Sequence, residues 1–135
     1  MPADRSDDHL ALAARLDAQR EAESVAARAL IEDFIADAIA QGVTPQPLKA
    51  RSRSGKALLK SNVTGWYIKR DHSLGVGVDG QFYILGAEDG LTARLKGVVL
   101  APSDPPLEIG RGARDGESMP LSTALELRLA ASNDF

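Results

Sequence analysis

The positive charges of this chain are concentrated in one short stretch. The sequence KARSRSGKALLK, residues 49–60, carries five cations and no acid, although the net charge of the chain is -3. Arginine and lysine at this density are suited to binding phosphate groups, and two aromatic residues that follow could stack on bases. The candidate anion- or nucleic-acid-binding residues are Lys49, Arg51, Arg53, Lys56, Lys60, Lys69 and Arg70, with Trp66 or Tyr67 for stacking.

Two other interpretations of this basic segment compete with nucleic-acid binding. Ala50 and Gly55-Lys56 have the spacing of a relaxed phosphate-binding loop, but Ala57 stands where the motif needs a magnesium-binding hydroxyl. The acidic pI of about 5.3 and the lack of a nucleic-acid-binding signature weigh against a nucleic-acid partner. We therefore expect residues 43–62 to form a solvated basic connector.

A second candidate for anion binding is the loop IGRGARDGES, residues 109–118. Arg111 and Arg114 could meet an anion there, among glycines that precede a predicted helix. The spacing of Gly110, Gly112 and Gly116 is one residue too long for a dinucleotide-binding fingerprint. The composition favours an ordinary turn-forming loop, whose glycines allow positive φ angles.

Residues typical of catalytic centres are scarce. The chain has no cysteine and two histidines, so thiol chemistry is excluded and His9 and His72 are too few for a metal site. Asp71 and His72 could together serve as a general base, but no serine lies in a nucleophile motif that such a base would activate. We expect a protein that is not an enzyme and that needs no metal or cofactor.

A long helix is the clearest predicted element. No glycine or proline occurs from Asp7 to Gln41, and Gly42 then marks the end. Its second half has an apolar face that predicts docking on a core. Leu12 and Leu16 continue this face into the first half beyond a polar break, so residues 1–23 could project and mediate a homodimer. The face comprises Leu30, Ile31, Phe34, Ile35, Ala38 and Ile39, and the break comprises Arg20, Glu23 and Ser24.

A three-stranded meander is predicted after the basic segment. Asp79-Gly80 between alternating apolar runs indicates a two-residue hairpin turn. In that register, two glycines in the central strand would leave space for a ligand or a partner segment. The walls and floor of this predicted groove are Trp66, Ile68, Gly75, Gly77, Phe82 and Ile84.

The remaining segments complete an α+β prediction. Residues 91–102 are interpreted as a fourth strand, residues 107–110 as a fifth, and Pro120 with the leucines that follow as a short C-terminal helix. The expected fold is one domain, residues 1–135, with the long N-terminal helix packed on a small antiparallel sheet: the meander, one or two further strands, and the C-terminal helix.

These features predict a small cytoplasmic binding or accessory protein that self-associates and acts through a protein or ligand surface. No signal peptide or bilayer-spanning segment is recognised, so no membrane partner is expected. Nucleic-acid or phosphate binding by residues 49–70 is the alternative, and a small enzyme without cysteine or metal is third. Arginine outnumbers lysine by 11 to 5, which favours a bacterial, GC-rich genome.

Overall fold

The computed structural model describes residues 5–88, 90–110 and 118–135, with side chains from residue 7 onward. The chain has an α+β fold, as predicted, in which a long N-terminal helix and a short C-terminal helix pack on a five-stranded sheet. The sheet contains an antiparallel meander but is mixed, because residues 46–52 and 86–87 pair in parallel. The elements are α1 (Arg5–Gln41), β1 (Gln46–Ser52), β2 (Leu58–Tyr67), β3 (Leu74–Gly77), β4 (Phe82–Ile84), β5 (Gly86–Ala87), α2 (Leu91–Lys96), β6 (Glu108–Ile109), β7 (Met119–Pro120) and α3 (Leu121–Ala131).

Helix α1 is continuous through the polar break and ends where the sequence predicts. Gly42 has a φ of 75°, and the backbone N–H of Val43 donates to Ala38 at 2.9 Å, a bond that closes many helices at a glycine. Ala27, Ile31, Phe34 and Ala38 are buried on the sheet side. Leu30 and Ile35 are partly buried beside them, whereas Ile39, which was predicted on the same face, is exposed.

The five-stranded sheet closes on itself through one residue. Its strand order is β4-β3-β2-β1-β5, so β4 and β5 lie at opposite ends although only Leu85 separates them in sequence. The N–H of Leu85 donates to Ser73 at 2.9 Å, and its carbonyl accepts from Arg51 at 3.0 Å. Leu85 therefore joins the two ends of the sheet and leaves an enclosed inner face.

The prediction of a connector over residues 43–62 was wrong, because most of this segment forms the β1–β2 hairpin. Leu48, Ala50 and Ser52 alternate inward along β1 and are buried, and Gly55 in the connecting turn has a φ of 75°. Few of the inward-facing residues of β1 are large and apolar, so the sequence shows no clear strand pattern there and its charged residues predominate. The hairpin holds the basic residues on ordered strands.

The predicted groove was also wrong, because the β3–β4 turn contains three residues and not two. The N–H of Gly77 donates to Gln81 at 3.0 Å, and Val76 pairs with Phe82 instead of Tyr83. In β2, Trp66 likewise pairs with Val76, and Tyr67 pairs with Gly75. Both glycines of β3 therefore lie on the face of the sheet opposite Trp66 and Phe82. There a β-carbon on Gly75 would lie 2.7 Å from Leu48 Cδ1, so the space beside Gly75 is filled by core side chains.

The other groove residues belong to the core between the sheet and the helices. Trp66, Ile68 and Phe82 are buried there with α1 and α3, and Ile84 is exposed. Residues 91–96 form helix α2 and not the predicted strand, and none of the residues of this helix is buried. The predicted fifth strand is present as β6, but it pairs with β7 in a separate two-stranded sheet and not with the meander.

The β3–β4 turn makes the stability of the fold depend on pH. Asp79 accepts hydrogen bonds from the Gln81 backbone at 3.0 Å and from the Tyr83 hydroxyl at 2.6 Å. Burial, followed by this hydrogen bond and the carboxylate charge, raises the pKa of Tyr83 to about 12 from 10.0. The folded chain thus favours the neutral phenol, and this stabilisation is complete below about pH 10 and is lost as the pH rises through about 12.

We expect the free energy of unfolding to fall by up to about 3 kcal/mol between about pH 10 and 12 on account of Tyr83. Urea unfolding across this range measures the effect, and Tyr83→Phe is the control because it removes the titrating group. The variant should lose less stability than the unmodified protein over the same interval. Identical pH profiles for the two proteins would contradict this assignment.

Candidate functional site

The structure divides the seven predicted basic residues between two places. Lys49 and Lys60 are direct cross-strand partners on the β1–β2 hairpin, and Arg51 lies opposite Leu58 beside them. The side chains of these three cations and of Leu58 are exposed. Two further cations of the set lie near the tip of the hairpin, where Lys56 is exposed and Arg53 pairs with Glu88 at 2.8 Å. Lys69 and Arg70, in contrast, belong to the β2–β3 loop.

A bulge in β2 fixes the basic face of the hairpin. Three residues of β2 lie opposite Leu48 alone, because Pro47 pairs with Thr64 and Lys49 with Lys60. The Leu48 carbonyl accepts a hydrogen bond from Ser61 Oγ at 2.6 Å, and the Lys49 N–H donates to the Tyr67 hydroxyl at 2.9 Å. These bonds satisfy backbone groups at the bulge.

An apolar cleft lies between the β2–β3 loop and helix α3. We call it the α3 cleft; its volume is about 530 Å³. Seven of its ten lining residues are apolar, and the three charged ones are consecutive in the loop. The lining comprises Ile68, Met119, Ala124, Leu127, Ala130, Ala131 and Phe135, with Lys69, Arg70 and Asp71.

Helix α3 forms one wall of the cleft because it is apolar on more than one side. Leu121 and Leu125 are buried in the core against α1, as their spacing predicted, while Leu127 and Ala130 line the cleft. Pro120 immediately precedes the helix, a position that suits proline. The leucine spacing predicted the helix but not this second apolar side.

Charged groups at the mouth of the cleft are held by the β2–β3 loop. Lys69 Nζ lies 3.4 Å from Asp71 Oδ2, and the Lys69 side chain is only 11% exposed. Partial burial opposes ionisation of Asp71, but hydrogen bonds from Ser73 and the Lys69 charge outweigh it, so the pKa of Asp71 lies below its usual value. The Arg70 guanidinium carbon lies 5.3 Å from the centre of the Phe135 ring.

His72 belongs to an aromatic stack with Tyr67 and Phe135. The centre of its ring lies 3.8 Å from the centre of the Tyr67 ring, and the two rings are nearly parallel. The Phe135 ring is also stacked on His72, with 6.3 Å between the ring centres. Burial lowers the pKa of His72; Asp71 opposes this shift, and the charges of Arg51 and Arg128 add to it. A neutral imidazole is therefore favoured at pH 7, and the Asp71 carboxylate is engaged by Ser73 and Lys69.

Arg128 anchors the last residues of the chain beside the cleft. The residue is 3% exposed, it donates to the Ser132 carbonyl, and its guanidinium carbon lies 4.5 Å from the centre of the Phe135 ring. Burial lowers the pKa of Arg128. These contacts place the Phe135 ring where it forms part of the cleft wall.

Arg111 and Arg114 lie outside the described residues. Across residues 5–88, 90–110 and 118–135, no cluster of three histidine, aspartate or glutamate side chains could hold a metal. No helix in these ranges is both long and apolar enough to cross a membrane.

No protein-family model matches the chain, and neither a curated protein nor a solved structure does so.

Proposed function

We propose that this chain is a non-catalytic binding protein whose α3 cleft receives an apolar group that carries an anionic end group. The observation that supports the proposal is the cleft itself, with a volume of about 530 Å³, an apolar lining and three charged residues on one side. Small-molecule sites are typically concave and mostly apolar, with a few polar groups that orient the ligand.

The charges at the mouth favour an anion over a cation. Asp71 is engaged by Lys69 and by two hydrogen bonds from Ser73. Arg70 lines the cleft, is exposed, and has its guanidinium over the Phe135 ring. A carboxylate in the cleft could form paired hydrogen bonds with this guanidinium. The apolar part of the ligand would then contact Leu127 and Ala130.

Octanoate and 1-octanol test this proposal because they share an apolar chain and differ in charge. We expect octanoate to bind at least about tenfold more tightly, since a hydrogen bond to a charged group contributes roughly 1.5–3 kcal/mol. Isothermal titration calorimetry measures both affinities. Arg70→Gln should remove the preference for octanoate, while Arg53→Gln on the hairpin serves as the matched control and should leave it unchanged.

A second pair of variants tests the location of the site. Ala130→Trp should fill the cleft and abolish binding of both compounds, whereas Ala36→Trp, at an exposed position of α1, should not. Equal affinities for octanoate and octanol would refute the anionic preference. Unchanged binding by Ala130→Trp would refute the cleft as the site.

Polyanion binding by the β1–β2 hairpin is the alternative function, and one observation favours it. Lys49 and Lys60 lie directly opposite each other and are exposed, and like charges in this arrangement destabilise a sheet. Among the described residues, neither lysine has an ion pair. A phosphate backbone across the hairpin would relieve this repulsion.

A further inference from the structure

The first half of α1 is a helix that the rest of the chain does not cover. Residues 7–22 are all exposed. Ser24 is the first buried residue of the helix, and beside it Glu23 Oε1 accepts a hydrogen bond from the Leu107 N–H at 2.9 Å. The exposed part is about 24 Å long, a length at which an isolated helix is only marginally stable in water.

Four residues of this exposed segment form one stripe with complementary ends. Asp8, Leu12, Leu16 and Arg20 follow one another at intervals of four, so they lie along the same side of the helix. Leu12 is 51% exposed and Leu16 is 44% exposed. The stripe therefore has an acid at one end, two large apolar residues in the middle and a base at the other end.

We propose that this stripe is the interface of a homodimer in which the α1 helices of two copies cross antiparallel at the level of Ala14. In that register Leu12 packs against Leu16 of the partner subunit, and Asp8 lies opposite Arg20 of the partner subunit. The stripe is thus complementary to a second copy of itself, as a two-fold interface requires. Rows of residues spaced by four interlock when two helices cross at about -50°.

The charges select the antiparallel orientation. Parallel helices in register would place Asp8 against Asp8 of the partner subunit and the two arginines against each other, which costs free energy. The antiparallel register also places the two sheets at opposite ends of the paired helices. Because α1 is continuous from Arg5 to Gln41, the exposed half does not fold back onto its own sheet.

The apolar part of the interface is tested on the full chain by analytical ultracentrifugation over a range of concentrations. We expect a dimer whose dissociation constant increases at least about tenfold in Leu16→Gln, because each leucine is buried in both copies. Leu10→Gln is the matched control, since Leu10 is exposed on the same helix but lies about 200° around it from Leu12. Circular dichroism of each variant verifies that the helix is retained.

The register is tested by exchanging the charges. Asp8→Arg alone and Arg20→Asp alone each create two like-charge pairs and should weaken the dimer about threefold to tenfold. The double variant restores both pairs in the antiparallel register and should recover most of the affinity. A monomeric unmodified protein at high concentration would overturn the proposal, and so would a double variant no tighter than the single ones.

Discussion

Replacing Gly65 by alanine is expected to destabilise the protein by more than about 3 kcal/mol, the upper part of the range for point mutations. Gly65 in β2 pairs with Gly77 in β3. A β-carbon at Gly65 would lie 1.9 Å from the carbonyl oxygen of Val76 and 2.7 Å from the Cα of Gly77. Both atoms belong to the backbone, so relief requires separation of the two strands. Urea unfolding measures the loss.

Gly86→Ala is the matched control for this substitution. Gly86 is also a strand residue, and a β-carbon there would meet no atom within 4 Å, so we expect a change in the free energy of unfolding within about 0.5 kcal/mol. A loss below about 1 kcal/mol for Gly65→Ala would show that β2 and β3 are not paired in this register.

Replacing Trp66 by alanine is expected to cost about 3–5 kcal/mol, as is typical of a large aromatic residue removed from a core. Trp66 is fully buried. Its ring meets Phe34 of α1 edge to face at 5.6 Å, and its Nε1–H donates to the Val43 carbonyl at 3.0 Å. The residue thus attaches the sheet both to α1 and to the segment that follows α1.

Trp66→Phe separates packing from hydrogen bonding at this position. It retains most of the apolar volume but leaves the Val43 carbonyl without its donor, so we expect a smaller loss of about 1–3 kcal/mol. Thermal unfolding monitored by circular dichroism measures both variants. Equal losses for the two substitutions would indicate that the hydrogen bond, and not the packing against Phe34, is the main contribution.

The ends of the helices were predictable because local chemistry determines them. Gly42 ends α1 through its positive φ angle, and Pro120 precedes α3. The alternation of residues 66–68 and 74–85 likewise identifies strands of a meander. These signals depend on residues close together in sequence, so they hold without knowledge of the tertiary structure.

The strand register was not predictable, because it depends on the lengths of the turns on both sides of β3. Asp79-Gly80 indicated a two-residue turn, but the turn also contains Val78. The Asp79 side chain accepts hydrogen bonds from the Gln81 N–H and the Tyr83 hydroxyl. One extra residue exchanged the faces of β3 and replaced the predicted groove by a filled interior. Helix α2 was missed for a different reason. It has six residues and buries none of them, so no apolar face indicates it in the sequence.

The candidate site was only partly predictable. Lys69 and Arg70 were identified by their charge, but their neighbours Leu127 and Ala130 are about 60 residues away in sequence and meet them only in the folded chain. The apolar composition of α3 on both sides of its leucine stripe was the available signal. This composition indicates that α3 has two apolar surfaces. One packs in the core, and the other forms the wall of the cleft.

The proposed binding site is tested most directly by titrating octanoate into the ¹⁵N-labelled protein and following the backbone amide resonances by NMR. We predict that the amides of residues 68–71 and 124–131 shift together and saturate, while those of the β1–β2 hairpin remain unchanged. Absence of shifts at the cleft would contradict the proposal that octanoate binds there. Hairpin shifts produced by a single-stranded oligonucleotide, with none produced by octanoate, would support the alternative of polyanion binding.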